Sequence, residues 1–454
     1  MKLQNDLTTG DVKSHIIKFA IPLVISNLFQ ALYNAVDMFF VGRYTGTVGL
    51  SAVSVSGPIM NIMIMTISGL SIGVSLMIAN FAGHEDFDNV KKTGGCAIGL
   101  YALISAVVTI AGFFLTPFLL KAVNTPAEAF PQGVSYLHTI FLGIVFMFGY
   151  NLIGAFQRGL GDSKSSMMFV VVACIVNIIL DYLFICTFQM GAFGAALATV
   201  IAQAVSFFMG VAYFKINKHV ITFQLSTIKI KSAYLKPLLH AGLPAAVQQL
   251  LLNISMVTLS GIANSFGLAA SAAYGIGIKI DSFALLPSDA FNMSMVSFTS
   301  QNIGASKPER ALSGLKNAIF LALSLAILVA LAVGIFAPSL ASIFNSDPEV
   351  IHYAAKYLRL TCFSYLVYAT VHPVIGFIRG SGNSMRTLIN VFFSQYLIRI
   401  PTALIASHFL GFQGIGVAVI AAPCFSLTMY SLFIVTGKWK RTKGYQELTG
   451  QKGN

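Results

Sequence analysis

Four aspartates lie inside long apolar stretches of this 454-residue chain: Asp37, Asp181, Asp281 and Asp289. A carboxylate near the middle of a bilayer costs about 2.5–3.5 kcal/mol on insertion scales, so each one needs a reason. Two of them have polar company at helical spacing. Gln30, Tyr33 and Asn34 precede Asp37 by seven, four and three residues, which puts all four on one helical face. Asn177 stands four residues before Asp181, and in the next apolar stretch Ala195 stands four before Thr199. Asp181 and Thr199 are each nine residues from the turn near Met190, roughly 13 Å along a helix axis. Asp37 is six residues before Arg43, roughly 9 Å by the same rise. The spacing therefore predicts that oxygens from Asp37, Asn177, Asp181 and Thr199 converge near one membrane face. Carboxylate, amide and hydroxyl oxygens suit a hard cation, whereas His and Cys would suit zinc or iron. Two carboxylates held out of water also repel each other, which lets the pair carry a proton. The chemistry expected is binding of Na⁺, of H⁺, or of the two in competition. An inert hydrogen-bonded brace across three helices is the alternative.

Other polar residues give weaker signals. Lys279, Asp281 and Asp289 fall in one apolar stretch and Arg399 in another. An ion pair between Arg399 and one of these acids is the plain structural reading, and lining a substrate cavity is the functional one. Gln248, Gln249 and Asn253 form a polar stripe that fits either a cavity wall or hydrogen bonding between helices. Five cysteines, including Cys174, show no metal or redox spacing. The histidines form no HExxH pattern, and neither GxSxG nor a phosphate-binding glycine loop occurs. No nucleophile–base or metal constellation is visible, so a membrane-embedded enzyme is disfavoured and no cofactor is expected.

The elements that must position these residues follow from composition. Hydrophobic residues make up 56% of the chain and charged ones 9%, against about 25% charged in soluble domains. Apolar runs of membrane-spanning length predict helices at 15–42, 52–80, 94–120, 132–157, 167–188 and 192–214, then 237–264, 272–300, 312–337, 355–378, 385–408 and 411–436. The fold class expected is an all-α integral membrane protein of twelve helices. The expected organisation is an N-terminal lobe over 1–214, a cytoplasmic linker over 215–236, a C-terminal lobe over 237–437 and a tail over 438–454. Lys13, Lys91, Lys92, Arg158, Lys164, Lys218, Lys229, Lys231, Lys307, Arg310, Arg379, Arg386, Lys438, Lys440 and Arg441 fall on the side that would then be cytoplasmic, with Arg43, Lys121, Lys356 and Arg359 near the outer edges. That asymmetry follows the positive-inside pattern and predicts a multi-pass inner-membrane protein with both termini in the cytoplasm. It also accounts for the net charge of +13 without nucleic acid, which would need clustered charge with exposed aromatics.

The chain repeats itself. Lys18-Phe19-Ala20-Ile21-Pro22 resembles His240-Ala241-Gly242-Leu243-Pro244, and Arg158-Gly159-Leu160-Gly161-Asp162-Ser163 matches Arg379-Gly380-Ser381-Gly382-Asn383-Ser384. Gly191-Ala192-Phe193-Gly194 likewise matches Gly411-Phe412-Gln413-Gly414. Ordered matches at a nearly constant offset point to duplication. Six helices per half predict two bundles related by a pseudo-two-fold along the membrane normal. The repeat also exposes an asymmetry: opposite Asp37, Asn177, Asp181 and Thr199 the second half has Leu259, Ile398, Thr402 and Val419.

The length, the twelve helices, the duplication, the stretch Asn34-Ala35-Val36-Asp37-Met38-Phe39-Phe40-Val41-Gly42 and the Arg-Gly-x-Gly-x-Ser turns resemble the multidrug and toxic compound extrusion (MATE) transporters, most closely the bacterial DinF-like branch. The resemblance implies a cation site in the N-terminal lobe at Asp37, Asn177, Asp181 and Thr199, with the Ala195 carbonyl a further ligand. It implies a bending role for Pro22. Gln30, Tyr33, Asn34 and Asn151 are expected to bind substrate. The NorM-like branch adds acids on helices seven and ten. This chain departs from that pattern, with Leu252 and Asn253 on helix seven and Tyr368–Val371 on helix ten. The function implied is alternating-access antiport, exporting amphipathic or cationic organic compounds in exchange for Na⁺ or H⁺. A lipid-linked saccharide flippase of the same superfamily is the competing expectation. The partners implied are small organic substrates, the coupling ion and membrane lipids, with the protein a monomer.

Overall fold

The structure is a computed structural model, and it describes residues 6–217, 219–223 and 227–449. Lys218, residues 224–226 of the expected linker and residues 450–454 of the expected tail lie outside the described residues. Twelve helices are long and apolar enough to cross a membrane: Val12–Tyr44 (α1), Gly46–Gly83 (α2), Phe87–Ala122 (α3), Phe130–Gly159 (α4), Ser163–Thr187 (α5) and Gly191–Ile216 (α6), then Ser232–Asn264 (α7), Leu268–Gly304 (α8), Pro308–Ser342 (α9), Pro348–Gly380 (α10), Ser384–Leu410 (α11) and Gln413–Val435 (α12). No strand occurs among the described residues. The chain is an all-α, multi-pass membrane protein.

Most helices run past the apolar runs that betray them. α3 starts at Phe87 and α10 at Pro348, each seven residues before the apolar stretch begins. Hydropathy marks only the part that must sit in hydrocarbon, whereas caps mark the helix start. The Asp86 side chain accepts from the Asn89 amide and the Asp347 side chain from the Glu349 amide, the N-cap bond that satisfies an otherwise orphaned donor.

The chain divides into two compact units, one holding Ile25–Gly242 and the other Asp6–Val24 with Leu243–Asn454. The changeover falls within α1 and α7, beside Pro22 and Pro244. A proline inside a helix removes one backbone hydrogen bond and crowds the preceding turn, so each crossing helix is weakest near the place where it changes unit.

In the first unit α4 is the central helix, packed against α2, α3 and α6. A Cβ on Gly149 would meet the Phe207 ring at 2.4 Å, so the missing side chain lets α6 lie close. In the second unit α10 takes that place, against α8, α9 and α12. Extramembrane segments fasten each unit. Ahead of α1, the Leu7 side chain is buried and its carbonyl accepts from Asn302 Nδ2 (3.2 Å) and Arg310 Nε (3.3 Å). Arg310 also donates to the Thr9 and Gly10 carbonyls. Burial of the Asp6 carboxyl works against ionisation, but bonds from Thr8 and Thr9 and the charge of Lys307 outweigh it and hold Asp6 below its ordinary range. After α12, Trp439 is buried against Phe377 and Tyr445. In the first unit, Tyr234 at the start of α7 donates to Asn89 Oδ1 on α3 (2.7 Å).

Candidate functional site

α1 carries Gln30, Tyr33 and Asp37, α5 carries Asn177 and Asp181, and α6 carries Ala195 and Thr199. Asn177, Asp181, Ala195 and Thr199 are buried. Tyr33 Oη and Thr199 Oγ1 lie 3.5 Å apart, so α1 and α6 meet at the level the helical spacing requires. Asp37 and Asp181 lie within range of each other's charge. Tyr33, and Tyr136 on α4, lie within range of both. Neither acid borders the cavity that Gln30, Tyr33, Asn177 and Thr199 line.

Their hydrogen bonding is unusual. Asp37 Oδ1, both carboxylate oxygens of Asp181 and both polar atoms of Asn177 are buried without a partner. A buried polar atom left unsatisfied costs about 1–3 kcal/mol, and more when it is charged. A brace would pair these atoms with one another or with the backbone. Here the acceptor oxygens are presented bare, in the condition that a bound cation or proton relieves.

α5 also leaves regular geometry at this point. Tyr182–Thr187, directly after Asp181, forms a π turn, and the Phe188 amide donates to the Leu183 carbonyl (2.8 Å). Such turns are rare and gather at functional sites. A cavity of about 40 Å³ borders Gln30, Tyr33, Asn177 and Thr199, room for about three waters at the roughly 10–15 Å³ each requires.

Some expected residues stand apart. Asn34 is exposed and outside this cavity, and Asn151 Nδ2 donates to the Met147 carbonyl of its own helix (2.8 Å). Tyr150, Cys174 and Gln203 line the cavity and were not singled out by sequence reasoning. For two of them a signal existed: Gln203 is four residues after Thr199, and Cys174 three before Asn177, each on the face already identified. Tyr136 carried none, because α4 holds no acid to draw attention to it.

Comparison with known proteins places this arrangement. The profile of the MatE family matches the chain twice, over residues 22–183 and 244–405. This chain belongs to the MatE family. The two matches begin at Pro22 and Pro244, which confirms the duplication read from the motifs. The chain is 28% identical over 444 residues to the probable multidrug resistance protein YpnP of Bacillus subtilis, covering 97% of this chain and 99% of that one. It is 26% identical over 443 residues to the probable multidrug resistance protein NorM of Thermotoga maritima, covering 95% and 94%. Its fold matches the outward-facing structure of a multidrug resistance MATE transporter of the MOP superfamily, with a TM-score of 0.92 and 23% identity over 97% of this chain and 100% of that one.

The second unit of this MatE protein treats its acids differently. Asp281 on α8 accepts from three hydroxyls of α10: Tyr365 (2.5 Å), Tyr357 (3.3 Å) and Thr361 (3.5 Å). Arg399 is buried and its Nη1 donates to Gln395 (2.9 Å) within a π turn at Phe393–Arg399. The simple ion pair expected for Arg399 does not form. Among the described residues no acid lies within 4.0 Å of it, because the α10 hydroxyls already occupy Asp281. Lys279 sits over the Phe344 ring at 5.8 Å. Gln248 accepts from Arg379 Nη2 (2.8 Å), so part of the α7 polar stripe joins α7 to α10. Among the described residues, the buried carboxyl oxygens left bare are those of Asp37 and Asp181 in the first unit.

Proposed function

We propose that this MatE protein is a secondary antiporter that exports amphipathic or cationic organic compounds in exchange for Na⁺ or H⁺. The observation that carries the proposal is the pair Asp37 and Asp181, within range of each other's charge and with their buried oxygens unpartnered. Two anions so placed gain from a small cation or a proton, and the neutral oxygens of Asn177 and Thr199 would complete a hard-cation shell with the Ala195 carbonyl. The names of the multidrug relatives support the substrate class.

Occupancy would be felt along α1. Asp37 is fifteen residues beyond Pro22, about four helical turns, and Tyr33 on the same face touches Thr199. Filling the site therefore biases the helix that has a weak point at Pro22. Such a bias is limited to the ion's differential affinity for the two conformations. The test is flux by the purified protein in liposomes carrying an imposed Na⁺ or pH gradient. Uphill movement of an organic cation driven by one of these gradients is the expected result. Flux that follows only the substrate's own gradient would refute antiport.

A further inference from the structure

Asp289, on α8, is the intramembrane carboxylate that neither the coupling site nor the α10 hydroxyls account for. It lies fifteen residues before Gly304, about 22 Å from the helix end, yet its side chain is 54% exposed. Its one close partner among the described residues is His372 on α10, which is 16% exposed, with Nδ1 3.0 Å from Oδ1. The approach is off the line of a hydrogen bond, so Nδ1 remains unsatisfied and the carboxylate keeps its acceptor capacity. Arg379, the nearest further cation on α10, is tied to Gln248.

The surroundings are rich in acceptors. One turn along α8, Asn292 has a buried Oδ1 with no partner. Here the backbones of α8 and α10 nearly touch, since a Cβ on Gly376 would sit 2.3 Å from the Asn292 carbonyl. Pro287 and Pro373 flank the pair, and each removes the amide that would close on a carbonyl four residues back, at Phe283 and Ala369. Tyr368 and His372 meet edge to face at 5.5 Å, which sets an aromatic ring beside the pair, and aromatic rings attract organic cations. A carboxylate, an amide oxygen, the two carbonyls that the prolines deprive of their usual donor and an aromatic ring all favour positive charge; of the two basic groups in range, Arg379 is bonded to Gln248 and His372 is held loosely.

We propose that Asp289, with Asn292, Tyr368 and the replaceable partner His372, forms a recognition site for the positively charged nitrogen of an amphipathic organic cation. The inference rests on the export reading above and supplies its substrate contact. His372 occupies the carboxylate in the empty site and gives way to the incoming cation, so the histidine competes with the ligand rather than binding it.

The experiment is equilibrium binding of ethidium to the purified full-length protein, with thermal melting of each variant as a companion. Wild type binds. Asp289→Asn lowers affinity about tenfold or more, equivalent to about 1.4 kcal/mol, with its melting temperature kept. His372→Gln binds at least as tightly as wild type, because the competitor is gone. Unchanged ethidium affinity in Asp289→Asn overturns the proposal, and so does an equal loss of affinity in both variants, the signature of a merely structural pair. Failure of wild type to bind any organic cation would instead sink the export reading, so the two failures are separable.

Discussion

Replacing Asp181 with Asn removes one negative charge while keeping the shape of the side chain. Both Asp181 oxygens are buried without donors, so the substitution breaks no hydrogen bond. It also relieves a desolvation penalty that amounts to about 2.5–3.5 kcal/mol for a central carboxylate. The variant should therefore melt at the wild-type temperature or above it. Ion binding should move the other way. A unit charge about 4 Å from a cation contributes about 4 kcal/mol at an effective dielectric near 20, so its loss weakens ion affinity by about a thousandfold. At ordinary ion concentrations the site would then stay empty and coupled efflux would stop. Gradient-driven flux in liposomes reads the second effect, and a melting curve of the same preparation reads the first. The combination separates a coupling site from a brace, since removal of a brace lowers stability. A variant that transports at the wild-type rate, or one that melts well below wild type with its ion dependence unchanged, would refute the reasoning.

Thr199→Val removes one neutral oxygen and the contact to Tyr33. A net hydrogen bond is worth about 0.5–1.5 kcal/mol, so apparent ion affinity should drop several-fold with maximal flux retained, as a titration of flux against Na⁺ or pH would report. Asp281→Asn weakens three hydroxyl bonds, and bonds to a charged group contribute about 1.5–3 kcal/mol each. The melting temperature should fall clearly, while the transport that remains keeps its wild-type ion dependence; an uncoupled but stable variant would move the driving-ion site to the second unit. Gly376→Ala places a methyl 2.3 Å from the Asn292 carbonyl and should destabilise by about 1–3 kcal/mol. A denaturation midpoint equal to wild type would contradict the close approach of α8 and α10.

What the sequence could reveal followed from periodicity and the energetics of burial. Apolar length locates all twelve helices, and i, i+4 spacing places Asn177 and Asp181 on one face. A residue count to the turn puts Thr199 level with them, and Asn177 and Thr199 border one cavity. The ends of α3 and α10 escaped because hydropathy does not see polar turns held by Asp86 and Asp347. The π turns at Tyr182–Thr187 and Phe393–Arg399 escaped because their residues are as apolar as those of an ordinary helix. Partner choice was the hardest to read. Arg399 and Asp281 carry complementary charges, yet Asp281 accepts from hydroxyls on α10 while Arg399 donates to an amide on α11 and keeps its Nε unpartnered, an outcome that depends on rotation about helix axes and leaves no trace in composition.

Duplication gives both units the same starting scaffold, so the difference between them is a record of specialisation. In the second unit the acid at Asp281 acquired three hydroxyl donors. Those three bonds tie α8 to α10 along a fixed seam. In the first unit the acids at Asp37 and Asp181 have no donors for their buried oxygens. A satisfied carboxylate cannot respond to a change in ion concentration, since it has nothing to gain. In the coupling proposed here, the unsatisfied pair gains from a cation or a proton, and α1 would carry that response toward Pro22. We therefore assign the proposed ion coupling to the first unit, whose buried carboxyl oxygens lack partners, and assign Asp281 to the seam between α8 and α10.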